Sequence, residues 1–149
     1  MENNPTETKP SNPSAGQNRL VKIKSVLVTE NEDNTCSIRV ELSWQDKDFS
    51  GERTGPNEQD YKIMLSALCT LDALHQLTEE KVKMELLFIE RQQLEKINRE
   101  VIMVLIDITT DEISCAATGA CQLKSDPTET AVRAVLDATN RMVELSINN

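Results

Sequence analysis

The chain has 149 residues, 28% of them charged and only 3% aromatic, with a formal net charge of −9. A domain of this size buries a core without disulfides or a structural metal, and here that core has to be aliphatic. The acidic balance disfavours nucleic acid and anionic membranes as partners, because Lys22, Lys24, Arg39, Lys62, Lys83, Arg99 and Arg133 are dispersed rather than gathered on a basic face.

Residues 1–19 hold three of the five prolines, with Asn, Ser, Thr and Gly and almost no large apolar side chain. Such a segment cannot offset its own ordering entropy, so a disordered tail is predicted there. A single domain is predicted over residues 20–149. Its first strand covers Leu20 to Thr29, rich in Val, Leu and Ile. Asn31-Glu32-Asp33-Asn34 supplies a turn. Cys36, Ile38, Val40, Leu42 and Trp44 then alternate with polar residues, the period of a strand with one buried face. A weaker third strand runs from Asp48 to Thr54. Gly55-Pro56-Asn57 breaks the pattern, and Tyr61, Met64, Leu65, Leu68, Leu71 and Leu74 form a helical stripe, with Asn57 as its expected N-cap and Asp60 in the first turn.

The same order recurs. Val82, Met84, Leu86 and Phe88 alternate as a strand. Gln92 to Asn98 reads as a long connection, a loop with the option of a partner contact. Val101 to Ile106 is an unbroken apolar run, which predicts a strand covered on both faces. Glu112 to Gln122 makes a third strand of small residues. Asp126-Pro127-Thr128-Glu129 opens a helix, with Asp126 as cap, Pro127 at the first position and Glu129 completing a box-like start, and Ala131, Ala134, Val135, Ala138 and Met142 give its stripe. Val21-Lys22-Ile23-Lys24 matches Val82-Lys83-Met84-Glu85, Thr54-Gly55 matches Thr118-Gly119, and Leu71-Asp72-Ala73 matches Leu136-Asp137-Ala138. The prediction is an α+β fold of two tandem βββα units, about 20–77 and 81–146, each an antiparallel three-stranded sheet with one packed helix.

Asp126 to Arg141 resembles the last helix of the regulatory domain shared by the 2-isopropylmalate synthase and citramalate synthase family. The matching positions are Asp126, Ala134, Leu136, Ala138, Asn140 and Arg141. Gly51 to Gly55 followed by Pro56 is similar to the family's glycine-rich turn. The resemblance covers about Leu20 to Leu145. It implies a pair of βββα units, a homodimer, and end-product amino-acid binding at the dimer interface. The chain departs from the family in three places. It has no room for the catalytic barrel with its histidine metal site. Asn57, Glu58 and Gln59 follow Pro56 where the family has apolar residues and an Asp. Gly119 stands seven residues before Asp126, without the second of the paired glycines.

The two helix-start loops are the candidate ligand site: Gly55, Pro56 and Asn57 in one unit, Thr118, Gly119 and Asp126 in the other. Backbone N–H groups at a helix start attract carboxylates or phosphates, and glycine lets a ligand approach the backbone. The plainer reading is that both glycines serve a tight turn. Cys36, Cys69, Cys115 and Cys121 form no CxxC pair, and His75 is the only histidine, six residues from Cys69 on one helix where the two side chains do not meet. No metal, cofactor or catalytic group is expected, and the cysteines read as buried thiols in a reducing compartment.

Met1-Glu2-Asn3-Asn4-Pro5 lacks the basic and apolar regions of a signal peptide, and no apolar run approaches the roughly 20 residues of a membrane helix, so a cytoplasmic protein is expected. The apolar faces of Val101 to Ile106 call for cover that two helices do not supply, which predicts a homodimer. The sequence therefore reads as a non-catalytic, homodimeric domain that binds a small metabolite or regulates. Docking onto another protein is an option within that reading, and the alternative is a structural adaptor or assembly factor that kept the fold without a ligand pocket.

Overall fold

The computed structural model describes residues 20–147, so the tail expected over residues 1–19 lies outside the described residues. Eight elements follow in order: β1 (Lys22–Glu30), β2 (Thr35–Trp44), β3 (Lys47–Pro56), α1 (Gln59–Leu77), β4 (Lys83–Leu94), β5 (Arg99–Thr109), β6 (Ser114–Gln122) and α2 (Pro127–Ile147). They form two antiparallel three-stranded sheets, β1-β2-β3 and β4-β5-β6, each followed by its helix. The architecture is the α+β pair of βββα units that the residue patterns predict.

Alternation gives each middle strand one buried face. Cys36, Ile38, Val40 and Leu42 line it on β2, and Ile102, Val104, Ile106 and Ile108 on β5. Helix α1 packs on β2 and β3, and α2 on β5 and β6. The helices also pack on one another, and each reaches the first strand of the other unit, α1 against β4 and α2 against β1. A helix with neighbours on several sides buries more than one stripe. On α1 the buried set therefore extends to Ser66 and Thr70, whose hydroxyls donate to the carbonyls of Lys62 and Ser66 (2.7 Å each). Tyr61, expected on the buried stripe, is 43% exposed instead.

The duplication is deeper than the short identities suggest. β1 carries a bulge between the partners of Leu42 and Glu41, and β4 carries one between the partners of Ile106 and Leu105. These are equivalent places, 64 residues apart. Gly51 pairs with Val40 and Gly119 with Val104, again 64 residues apart on the middle strands. A Cβ on Gly51 would sit 2.2 Å from the carbonyl oxygen of Cys69, and one on Gly119 would sit 2.1 Å from that of Ala134. The structural partner of Gly119 is therefore Gly51. The sequence match of Thr54-Gly55 to Thr118-Gly119 is corrected by four residues.

Three further readings change. Asn57 is not the α1 N-cap: Glu58 holds that position, and makes no side-chain capping bond. The stretch Gln92 to Asn98 is not a long loop, because Gln92, Gln93 and Leu94 continue β4 and only a tight turn separates β4 from β5. The β4 bulge at Leu87 turns Phe88 to the face opposite Met84 and Leu86, since one inserted residue reverses the alternation beyond it.

Gly51 and Gly119 need bare backbone for packing, not for unusual torsion, since no glycine has positive φ among the described residues. Gly51→Ala and Gly119→Ala should each cost about 2–3 kcal/mol in a urea melt, because backbone oxygen cannot move aside. Gly55→Ala should cost less than about 1 kcal/mol, because its Cβ meets only Leu65 Cδ1, at 2.9 Å, and a smaller unfolded-state entropy offsets part of that. Equal midpoints for the three variants would contradict this packing account.

Candidate functional site

The α2 start is built by its own residues. Asp126 Oδ1 accepts hydrogen bonds from the Thr128 N–H (3.0 Å) and the Thr128 hydroxyl (2.7 Å), so Asp126 is the cap the sequence predicts. The Asp126 carbonyl accepts from the Thr130 N–H and hydroxyl. Glu129 does not close a capping box. It accepts from the guanidinium of Arg133 one turn on (2.9 and 3.1 Å). Beside this helix start lies a cleft of about 300 Å³ lined by Cys121, Gln122, Lys124, Ser125, Asp126, Glu129, Thr130 and Arg133. None of the other five candidate residues lines it.

Those five sit elsewhere. Gly55 pairs with Cys36 at the end of the first sheet, and the carbonyl of Pro56 accepts from the Cys36 thiol (3.6 Å). The Asn57 N–H donates to the Asn34 carbonyl (3.1 Å), tying the α1 start to the β1–β2 turn. Asn57 Oδ1 is buried without a hydrogen-bond partner. Gly119 is buried in mid-strand beneath α2, so it closes helix packing where the sequence suggested access for a ligand. Thr118, one residue earlier on β6, is exposed on the opposite face of the second sheet and pairs with Leu105.

That opposite face carries half of the apolar run Val101 to Ile106. β5 presents Arg99, Val101, Met103, Leu105 and Asp107 on it, by alternation with the buried Ile102, Val104 and Ile106. Val101, Met103 and Leu105 are only half-buried, so the run is fully covered on one face and not on both as predicted. Across the ladder, Phe88 stands beside Leu105, with Thr118 and Ala120 beside Leu105 and Met103. Phe88 is 45% exposed and Leu87 51%.

The equivalent face of the first sheet is mostly polar, Leu27 (54% exposed) being its one large apolar side chain among the described residues. The register equates Phe88, Met103, Leu105 and Ala120 with Ser25, Arg39, Glu41 and Glu52. There the Ser25 hydroxyl donates to Glu41 (3.1 Å), and Arg39 reaches Glu52 (3.5 Å) and Glu41 (3.8 Å). These groups are satisfied among themselves and face water. Alternation alone pointed at Val101 to Ile106. The bulge that adds Phe88 to the patch leaves no signal in the residues themselves.

The reactive side chains are committed to packing. Cys69 donates its thiol to the Ile38 carbonyl (3.3 Å), and burial, with the Asp72 carboxylate nearby, pushes that thiol up to about 12. His75 Nε2 accepts the Met84 N–H (3.1 Å), linking the last turn of α1 to β4. The four cysteines are free thiols, but only Cys36 and Cys69 are buried as expected, while Cys115 and Cys121 on β6 are partly exposed. Among the described residues no group of three or more His, Cys, Asp or Glu is gathered as metal ligands. Also among the described residues, no helix is long and apolar enough to cross a membrane. No protein-family model matches the chain, and no curated protein matches its sequence.

The raised thiol gives a signed prediction. Unfolded Cys69 ionises near its ordinary 9.0, while the folded thiol keeps its proton to about 12. The folded state then binds more protons across that window, so stability falls as pH rises above 9. Urea unfolding of the wild type and Cys69→Ala as a function of pH checks this. The variant should show a shallower alkaline decline, and parallel declines would contradict it.

Proposed function

We propose that this chain is a non-catalytic association module of regulatory type, whose working surface is the open face of the second sheet. The observation that carries the reading is the divergence of the two repeats. Equivalent positions are Ser25, Arg39 and Glu41 in one unit and Phe88, Met103 and Leu105 in the other. A solvated sheet face selects the first set, and a covered face selects the second. The resemblance of Asp126 to Arg141 to a dimerising regulatory domain supports the same reading. The acidic balance of the chain favours protein partners over nucleic acid or anionic membranes. The alkaline-shifted Cys69 thiol and the backbone-bound His75 argue against nucleophilic catalysis.

The test is a double variant, Met103→Lys with Leu105→Lys. Both side chains stand on the open face, so unfolding should cost no more than about 1 kcal/mol relative to wild type. Wild type should show a melting temperature that rises with protein concentration, because association binds only the folded state, and the variant should lose that dependence. A variant that unfolds would place these residues in the core. A wild type and variant with the same concentration-independent melt would remove the association reading.

The second reading is a small-metabolite site in the cleft at the α2 start, whose lining holds Lys124 and Arg133 beside a helix N-terminus. Its ligand would carry a carboxylate for those cations. Asp126 is committed to capping and Glu129 to Arg133, so a ligand carboxylate taking Arg133 would release Glu129 for an amino group. A thermal-shift screen of amino acids and small carboxylic acids tests it. A ligand should raise the melting temperature in wild type and not in Arg133→Ala, and a screen without such a shift would remove this reading.

A further inference from the structure

The inference rests on the association reading above and names the occupant and its geometry. We infer that the open face of the second sheet packs against the same face of a second copy, antiparallel, about a two-fold axis passing near Met103.

The pattern along β5 carries this. On its open face the strand reads Arg99, Val101, Met103, Leu105, Asp107. Met103 is the midpoint. Two apolar residues flank it symmetrically, and charges of opposite sign stand at equal distance beyond them. An isologous interface needs this kind of self-complementarity, because residue i meets residue j and j meets i. A two-fold axis through Met103, across the strands, lays Leu105 of one copy on Val101 of the other. It also lays Asp107 on Arg99, twice. Neither Arg99 nor Asp107 has a salt-bridge partner among the described residues. A two-fold axis along the strands would set Asp107 on Asp107, so the charges select the antiparallel arrangement.

The neighbouring strands agree with it except at one position. Glu85 stands beside Asp107 on β4 and Leu94 stands beside Arg99, so the acidic end of one face meets the apolar and basic end of the other. Glu90, level with Met103 and exposed on the edge strand, meets its own copy across the axis at the rim, a like-charge contact that works against the pairing of Arg99 with Asp107. Phe88, bulged onto the open face, extends the apolar centre beside Leu105. Two sheets packed in this way lie about 10 Å apart with strands some 30° from antiparallel.

The size of the face sets the strength. Three strands about 4.8 Å apart and some nine residues long present roughly 400 Å² in projection. That is about half of the ~800 Å² per partner in an interface of standard size. An interface of that size belongs to the weak, transient class, so the dimer is reversible and concentration-dependent.

Charge reversal tests the geometry without touching the core. Sedimentation velocity on the full chain should show a concentration-dependent dimer for wild type. Asp107→Arg and Arg99→Asp should each weaken it about tenfold, because each then meets its own copy with like charges at both contacts. A one-to-one mixture of the two variants should dimerise at least as well as wild type, since the variants meet one another with opposite charges at both contacts. A mixture that behaves like its components would overturn the antiparallel face. Wild-type association that is lost in Met103→Lys with Leu105→Lys, yet indifferent to the charge variants, would leave the association reading and discard this geometry. A wild type that stays monomeric at high concentration would discard both.

Discussion

Two points of contact between helix and strand without a side chain between them organise this protein. At Gly51 the carbonyl of Cys69 on α1 comes so close to β3 that a Cβ would overlap it, and at Gly119 the carbonyl of Ala134 does the same on β6. Asp72 and Asp137, equivalent residues on the two helices, fasten the same joints. Asp72 takes two hydrogen bonds from Arg53 (2.8 and 3.0 Å), and Asp137 accepts the Ala120 N–H (3.0 Å). With each helix held against the third strand of its sheet, the inner faces of β2 and β5 are sealed. Everything on the other face is then left for water or for a partner. The function proposed for the molecule follows from which of these happens in each unit.

The fold was legible because its strongest signals are periodic. Cys36 to Leu42 and the helix stripes declare a strand and two helices by spacing alone, and Asp126-Pro127 marks a helix start whose capping bond the structure contains. The candidate site was less legible, for three physical reasons. Glycine in a sequence signals freedom of the backbone, but it does not say whether the space above it belongs to a ligand or to a helix, and at Gly119 it belongs to Ala134 and Ala138. Asn57 has the residue type of a cap, yet its N–H is drawn to Asn34 and Glu58 takes the capping position. The side facing of Phe88 depends on an inserted Leu87 whose presence in the ladder no local propensity records.

The two units show what changes when a duplicated surface takes different work. Their bulges fall at the same register, their close-packing glycines match, and their helix aspartates match, so the constraints on packing have been kept in both. The open faces have not. In the first unit Ser25, Arg39, Glu41 and Glu52 pair among themselves in a solvated mesh of modest energetic value. In the second, the same places hold Phe88, Met103, Leu105 and Ala120, which pair with nothing in their own chain across that face. Exposed apolar area of this kind adds no stability to a lone molecule and makes it prone to associate. Its retention opposite a polar twin is the physical basis for placing the working surface there.

Side-chain exposure on that face reports on the account most directly. Hydroxyl-radical footprinting of the full chain, read by mass spectrometry across a range of protein concentrations, follows Met103 and Phe88 on the open face of the second sheet and Tyr61 on α1 as an exposed reference. The account predicts that labelling of Met103 and Phe88 falls as concentration rises while Tyr61 stays constant. Labelling of all three that does not change with concentration would contradict it.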